Sequence, residues 1–451
     1  MQERNRILSV AAENLLKKDD IKKVISLLDK LHPADAAEIV SSLPEEDQRR
    51  VFESWDIPRA ADTLQEMDES EQADIVDLLS TPLVADIVED MAADDVADLL
   101  GGLDKQDAER ILAAMNREDA AEAIKLMQHK EDTAGGIMTP EYVALRKDMT
   151  AQESIDLLRE KAPAAETVYY VFIVNTENQL VGVISLRDLI IAKAGQRIEE
   201  IMNPNVIYVD VDTDQEEVAG IMSRYDLLAV PVVDHEHHLL GIVTIDDVVD
   251  VIEEEASEDI YRLGGVTREE RLDSTAMESI RNRLPWMTFN LLTAFFAAGV
   301  VYLLRNTIDK LVVLAALMPI VAGMGGNMGT QTLAITTRGI ALGQLEFREG
   351  MRVIVRQIGI GITIGAFTGL LAGLIAYFLA NGNPYLGLVL FMAMIINMGV
   401  AGLAGAGIPI VLRLLGQDPA LGSGVIVTTF TDTFGFLTFL GLATLLIQFL
   451  T

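Results

Sequence analysis

The segment LGSGVIVTTFTDTFGFLTFLGLATLLIQFL, Leu421–Leu450, decides the fold. It is apolar over a length that, as a helix, crosses a hydrocarbon core of roughly 30 Å. One carboxylate, Asp432, interrupts it, within the run Thr428-Thr-Phe-Thr-Asp432-Thr-Phe-Gly435. A charge at bilayer depth is costly and almost always faces a water-filled cavity or a partner. Two readings follow. The carboxyl is protonated and hydrogen-bonded to Thr428 or Thr429, or it is ionised and its partner is a cation in transit. No Lys or Arg lies deep in the surrounding apolar region, which favours a cation channel or transporter.

Working outward, four more stretches are long and apolar enough to span: Leu284–Leu304, Leu311–Ile335, Ile358–Ala380 and Leu386–Leu412. Arg281, Arg283, Arg338, Arg348, Arg352, Arg356 and Arg413 fall on one side of these spans, and only Arg305 and Lys310 on the other. The positive-inside rule puts the N-terminus in the cytoplasm and the C-terminus outside. The absence of an apolar leader at the N-terminus agrees. The second, fourth and fifth spans are rich in Gly, which allows close helix packing. The second also carries Pro319-Ile-Val-Ala-Gly-Met-Gly-Gly-Asn327-Met-Gly-Thr-Gln331. Asn327, Thr330, Gln331 and Thr332 therefore sit at membrane depth, where they either bond neighbouring helices or line a wet path.

One carboxylate is a poor site for a divalent cation. A homodimer with its axis through the pore would supply two. Mg²⁺ dehydrates reluctantly and keeps several waters, so two carboxylates with nearby backbone or hydroxyl oxygens would hold it through those waters.

The formal charge of −33 is concentrated before the spans. Residues 1–283 hold 63 acids and 28 bases, whereas residues 284–451 are nearly neutral. Such a surface repels nucleic acid and anionic lipid and concentrates cations. With no cysteine, disulfides and thiolate metal sites are excluded.

Residues 32–128 repeat every 12 residues. Polar positions recur at Glu38, Arg50, Asp62, Asp74, Asp86, Asp98, Arg110 and Glu122. Each precedes a mostly apolar pair, and a large apolar residue follows at Leu43, Trp55, Met67, Leu79, Met91, Leu103, Met115 and Met127. Each unit fits one short helix and a turn, and stacked units make a superhelix with a shared core. Asp90, Asp94 and Asp95 cluster at one turn.

A second duplication covers residues 137–252. Ile137-Met-Thr-Pro140 recurs as Ile201-Met-Asn-Pro204, and Gly182-Val-Ile-Ser-Leu-Arg-Asp188 as Gly241-Ile-Val-Thr-Ile-Asp-Asp247. Strand-like runs at Val168–Val174, Leu180–Ile184, Ala229–Val233 and Leu239–Val243 alternate with helical patterns. This resembles a tandem pair of CBS domains, with halves at 137–200 and 201–252. The resemblance implies adenosine-nucleotide binding, with Ser185 and Asp188, or Thr244 and Asp247, on the ribose. Tyr170, Arg187 and Pro231 complete the candidate pocket. The alternative is a CBS pair used only as a dimerising hinge.

Asp246–Gly265 is the most acidic run, placing Asp246, Asp250, Glu254 and Glu258 on one helical stripe. Asp247, Glu255 and Asp259 lie beside it. Like charges at this spacing repel. A divalent cation would relieve that repulsion and draw the helix towards other acids.

In sequence order the chain reads as an acidic superhelical N-domain (1–136), an α/β CBS pair (137–252), an acidic connector (253–283) and an all-α membrane domain of five spans (284–451). With the Pro319–Gln331 segment and Asp432, this order resembles the MgtE family of bacterial magnesium channels. The resemblance implies a homodimer in the bacterial inner membrane that passes Mg²⁺ inward. The second and fifth spans would line the pore, and hydrated Mg²⁺ would sit at Asp432 near Thr428 and Asn327. It also implies closure by cytosolic Mg²⁺, with the "plug" connector helix taking part, and tuning by ATP at the CBS pair. By position the regulatory acids are Asp90, Asp95, Glu216, Asp226, Asp247, Asp250, Glu255, Glu258, Asp259 and Asp418. Asp247 is claimed by both the ribose motif and the Mg²⁺ set.

Other classes fit less well. A broader divalent transporter for Co²⁺, Ni²⁺ or Mn²⁺ lacks softer ligands at Asp432. A CBS-regulated chloride channel needs positive potential where this pore carries an acid. For an enzyme the sequence offers no phosphate-binding loop, no nucleophile–base pair and no His-rich metal site.

Overall fold

The period of 12 becomes a row of helices with the same spacing. In the computed structural model, which describes residues 2–161, 165, 167–266, 275–341, 344–345, 350–379, 382–421 and 423–450, the chain divides into units 1–252 and 253–451.

The first unit opens with α1 (Gln2–Leu16) and α2 (Ile21–Leu28). The repeat helices follow: α3 (Pro33–Ser41), α4 (Glu45–Phe52), α5 (Ile57–Gln65), α6 (Glu69–Leu78), α7 (Thr81–Val88), α8 (Ala93–Gly102), α9 (Lys105–Ala114) and α10 (Arg117–Leu126). Their first residues fall at every twelfth position, and each helix packs on the one two places along the chain. Two stacked rows result, and the apolar pair of each unit points between them. Ile39, Val40, Val51, Phe52, Ile87, Val88, Leu99 and Leu100 are all buried in one continuous core. The pattern ends at α10, where Ile124 and Met127 are exposed.

The duplicated segment folds as two three-stranded sheets of the same topology. The first contains β1 (Ala144–Arg146), β2 (Tyr170–Val174) and β3 (Leu180–Ser185); the second contains β4 (Val209–Asp210), β5 (Ala229–Val233) and β6 (Leu239–Thr244). In each sheet the first pairing is parallel and the second antiparallel. The register break also recurs, at Ile173/Val174 and at Val232/Val233. The helices are α11 (Ala151–Lys161), α12 (Leu186–Ile191), α13 (Ile198–Ile201), α14 (Gln215–Tyr225) and α15 (Ile245–Gly264). The edge strands β1 and β4 were invisible to pattern reading because two or three residues carry no period.

The halves exchange arms. Thr139 bridges to Ile242, and Asn203 to Val183. A Cβ on Gly241 would meet the Met138 sulfur at 2.9 Å, and one on Gly182 the Met202 sulfur at 2.6 Å. Both glycines of the duplicated motif are thus explained by the Met of the opposite arm.

In the second unit, five helices are long and apolar enough to cross a membrane, among the described residues. They are α16 (Ala276–Leu303), α18 (Val313–Ala341), α19 (Gly350–Leu379), α20 (Pro384–Leu414) and α21 (Ser423–Leu445), with short α17 (Arg305–Lys310) and α22 (Ile447–Leu450). The helices outrun the apolar stretches on the arginine side, carrying Arg338, Arg352, Arg356 and Arg413 as helical extensions. Helix α20 is central, packed on α18, α19 and α21. Helix α16 is peripheral, touching α21 and leaving most of its apolar surface uncovered.

A glycine stripe makes the tightest contact. Gly361, Gly365, Gly369 and Gly373 recur every fourth residue along α19 and lie against the α20 backbone. A Cβ on Gly361 would stand 2.2 Å from the Met398 carbonyl oxygen, and one on Gly373 2.7 Å from that of Gly387.

Candidate functional site

Helix α21 holds Asp432 half-buried. Three of the threonines around it, Thr428, Thr429 and Thr431, serve the helix itself. The Thr428 hydroxyl donates to the Gly424 and Val425 carbonyls at 3.0 and 3.1 Å, and Thr429 donates to Val425 at 2.7 Å. Neither hydroxyl proton goes to the carboxyl, although the hydroxyl oxygens can still accept or coordinate. Among the described residues, no hydrogen bond or ion pair engages Asp432.

Helix α18 packs on α21 where small residues permit it. A Cβ on Gly329 would meet Val427 at 2.5 Å, and one on Gly326 would lie 3.9 Å from the Thr428 methyl. Asn327, next to Gly326, is exposed, as are Gly323, Thr330 and Gln331; Thr332 is buried. Positions 323, 327 and 330–331 fall on one helical face. A polar stripe at membrane depth therefore borders the α18–α21 contact, uncovered within this chain.

Asn397 on α20 escaped pattern reading, being one polar residue in an apolar run. It is 1% exposed and its amide donates to the Val321 carbonyl at 2.9 Å. Gly325 of α18 and Gly435 of α21 leave space for it. It joins three spans, meeting α21 at Gly435, three residues along the helix from Asp432.

The acids that the resemblance assigns to regulation are spread over several elements. Glu216 and Asp226 stand at opposite ends of α14, roughly 15 Å apart along its axis at 1.5 Å per residue. Asp226 caps α14 in the left-handed conformation, with φ 53°. Asp90 lies in the turn after α7, and Asp95 in the first turn of α8. Asp250 and Glu255 ride on α15. Glu258 and Asp418 both pair with Arg262, which links α15 to the loop before α21. Nothing in the sequence pattern marks Arg262 for this part. The side chain of Asp259 lies outside the described residues.

One concentration of negative charge stands out, between α8 and α15. Crowding by surrounding protein, then repulsion from Asp94, Glu69, Asp247 and Glu131, pushes the Asp98 carboxyl up to about 7. Asp98 still reaches solvent, so a dissolved ion has access to it. Burial pushes Asp247 up to about 6, opposed by its hydrogen bond from Thr244 and supported by Asp94 and Asp246. In the sequence Asp98 is only a polar repeat position, because nothing in the period shows that its helix faces α15.

The two Ser/Thr-x-x-Asp elements are built alike and surrounded differently. Ser185 caps α12, accepting from the Asp188 amide at 3.1 Å, and its hydroxyl lies 2.6 Å from the Asp188 carboxylate. Thr244 donates to Asp247 at 2.5 Å. Tyr170 stands opposite Ser185 in the β2–β3 ladder and packs among residues of both sheets. Exposed Arg187 follows in the first half, where the second half has Asp246. Pro231 is buried in β5, opposite Ile242. The first element therefore presents a cation beside its hydroxyl–carboxylate pair, and the second a cluster of acids.

Family models match successive parts of the chain. Residues 31–132 match the MgtE intracellular N domain, residues 134–195 and 198–254 match CBS domains, and residues 318–442 match MgtE, described as a divalent cation transporter. The chain is 32% identical to the magnesium transporter MgtE of Bacillus subtilis over 434 residues, 96% of each chain. It is 41% identical to that of Thermus thermophilus over 330 residues, 72% of this chain and 73% of the relative. Two crystal structures resemble the soluble part, each with a TM-score of 0.52. One is the soluble part of a magnesium transporter, 37% identical, covering 56% of this chain and 99% of that one. The other is the cytosolic domain of the Mg²⁺ channel MgtE in complex with ATP, 41% identical, covering 54% and 99%. The order of domains, the five apolar helices and identity along nearly the whole length agree: the chain belongs to the MgtE family of magnesium transporters.

Proposed function

We propose that this protein is a homodimeric, Mg²⁺-selective uptake channel of the bacterial inner membrane, closed by cytosolic Mg²⁺. The observation that carries the reading is the polar α18 stripe beside Asp432, at membrane depth and uncovered in one chain. A second copy across an axis there would enclose a path lined by Asn327, Thr428 and two Asp432 carboxylates. Hydrated Mg²⁺ suits such a ring, because it binds through retained waters to few carboxylates. The arginine-side helical extensions support a cytoplasmic N-terminal half and an external C-terminus.

In this reading the soluble acids sense Mg²⁺. The functional divisions are the N-domain (1–136), the CBS pair (137–252), the connector (253–283) and the membrane domain (284–451). At low Mg²⁺ the carboxylates of α8, α14 and α15 repel one another; at high Mg²⁺, ions bridge them and the connector helices draw together. Moving a gate from mostly open to mostly closed needs about 5.5 kcal/mol of differential binding, which several weak ions supply jointly. Arg262 already neutralises Glu258 and Asp418, so Mg²⁺ at these two acids must compete with it. ATP occupies the first CBS half, where Arg187 takes phosphate charge and Asp188 the ribose. Asp247 then belongs to the cation set alone.

Liposomes loaded with a Mg²⁺ dye test both parts. Wild-type flux should fall as Mg²⁺ rises on the soluble-domain face, and Asp432→Ala should abolish it. Flux that survives Asp432→Ala removes the central inference. Inhibition that survives neutralising Asp250, Glu255, Glu258 and Asp259 together removes the sensor. A wider divalent range is the second reading, favoured by the family's description as a divalent cation transporter. Competition by Co²⁺, Ni²⁺ or Mn²⁺ at concentrations near that of Mg²⁺ would establish it.

A further inference from the structure

We propose that Asp210, Asp212 and His235 form a binding site for a borderline divalent transition cation, separate from the Mg²⁺ sites. The second sheet brings them together. Strand β4 runs parallel to β5 with Asp210 opposite Val233. Asp212 and His235 follow two residues later, in the turns that leave β4 and β5, and those turns bring the three side chains together at the end of the sheet. His235 Nδ1 lies 3.0 Å from one Asp210 oxygen, and Nε2 lies 3.5 Å from one Asp212 oxygen. One donor atom from each residue falls within 4.8 Å of the other two. Donors bound to a tetrahedral ion at ~2.0–2.2 Å stand roughly 3.3–3.6 Å apart. The two carboxylates stand at opposite ring nitrogens, so gathering all three donors on one ion takes a reorientation of the imidazole or of one carboxylate.

The framework holding the donors is pinned on both sides. The loop after β4 is tied to the preceding segment by Gly135 N to Val211 O at 2.9 Å, Ala134 N to Thr213 O at 2.7 Å and Gln215 N to Asp132 O at 3.0 Å. The turn carrying His235 is closed by Asp234, which accepts from the amides of Glu236 and His238 at 2.9 and 2.8 Å. Only side chains have to move on binding.

Donor chemistry sets the ligand. An imidazole nitrogen with two carboxylates suits Zn²⁺, Co²⁺, Ni²⁺ or Mn²⁺, whereas Mg²⁺ prefers oxygen alone. His235 is 76% exposed, which leaves further coordination positions to water and an open route from solvent. When one ring nitrogen takes the metal, the other stays free to donate to a carboxylate or water, the contact that orients metal-bound imidazoles. Three of the five histidines lie in this part of the chain. His237 and His238 share the turn with His235, and His129 feels the charge of Asp212.

The test uses full-length protein in detergent, stripped of metal and then held in excess Mg²⁺ so that oxygen-only sites are filled. Equilibrium dialysis against Zn²⁺ should show one more bound equivalent in wild type than in His235→Ala or in Asp210→Asn/Asp212→Asn. Apparent affinity should drop at least about tenfold in these variants, and His32→Ala should behave as wild type. Because His235 is exposed, its substitution should leave the melting temperature unchanged, separating lost binding from lost fold. Co²⁺ at the same site should give visible absorption that disappears with His235→Ala. Equal Zn²⁺ binding by wild type and His235→Ala, or no Zn²⁺ bound by wild type in Mg²⁺, overturns the proposal and leaves an ordinary ion pair.

Discussion

Asp98 and Asp247 keep protons in the folded protein that an unfolded chain has already released. Their ordinary value is 3.8, and folding raises them to about 7 and about 6. A carboxyl raised on folding favours the native state while protonated, so stability declines as pH rises from about 4 through these values. Without divalent ions, the melting temperature should therefore fall between pH 5 and pH 7.5, and Asp98→Asn should flatten that slope. Added Mg²⁺ should restore stability at pH 7.5 and do little at pH 5, where protons compete for the same oxygens. A melting curve that ignores pH in wild type would contradict the crowding of these acids. Arg187 gives a second prediction at this scale. Arg187→Ala should weaken ATP binding roughly 5- to 50-fold, as expected for losing one charge-assisted contact of about 1–2.3 kcal/mol. Thr244→Ala should leave ATP binding unchanged, since that element faces acids. Nucleotide titration of both variants checks the assignment.

Each helix of the repeat begins where the period of 12 says it should, because the units from α3 to α9 pack their apolar pairs into one shared core. The membrane helices follow a different rule. In lipid there is little hydrophobic gain in bringing helices together, so packing depends on how closely backbones approach. The α19 stripe shows this: with no Cβ at Gly361, Gly365, Gly369 and Gly373, the helix rests on α20 carbonyls. Gly365→Leu cannot be absorbed by a side-chain rotation, because the atoms it meets at 2.9 Å include the Met394 carbonyl oxygen and the Ile395 Cα. We expect a loss of about 1–3 kcal/mol or more from overpacking. It should be read as a lower melting temperature in detergent than for Gly359→Leu, whose Cβ meets nothing within 4 Å. Equal stability of the two variants would mean that the stripe does not hold α19 in place.

Assembly is the question for the whole molecule. A chain without cysteine is suited to testing it, since each introduced thiol is the only one present. Thr330→Cys lies on the polar α18 face, and Phe296→Cys lies on the 70%-exposed surface of peripheral α16. If two copies meet along the α18 face, mild oxidation in membranes should cross-link Thr330→Cys into dimers and leave Phe296→Cys monomeric. The reverse pattern would place the axis at α16 and move the proposed path away from Asn327.

Much of this was legible in the sequence because it depends on periodicity and composition, which survive without contacts. The twelve-residue period located the repeat helices. The duplicated Met-x-Pro and Ser/Thr-x-x-Asp motifs located two similar sheets. Apolar length and the arginine distribution located five spans, and Asp432 was conspicuous as an acid with no base near it. The short edge strands, the α19 stripe and the place of Asn397 were not legible, because each gains its meaning from a neighbour on another element. The same holds for the charge on Asp98, for Arg262 between Glu258 and Asp418, and for the separation of Glu216 from Asp226. Asp210 and Asp212 precede His235 by more than twenty residues, and only the pairing of β4 with β5 brings the turns that follow them together. Local chemistry and its repeat were set by the order of residues. Which acids crowd, which pair and which meet an imidazole was decided by tertiary packing, since electrostatic interaction depends on distance in space rather than along the chain.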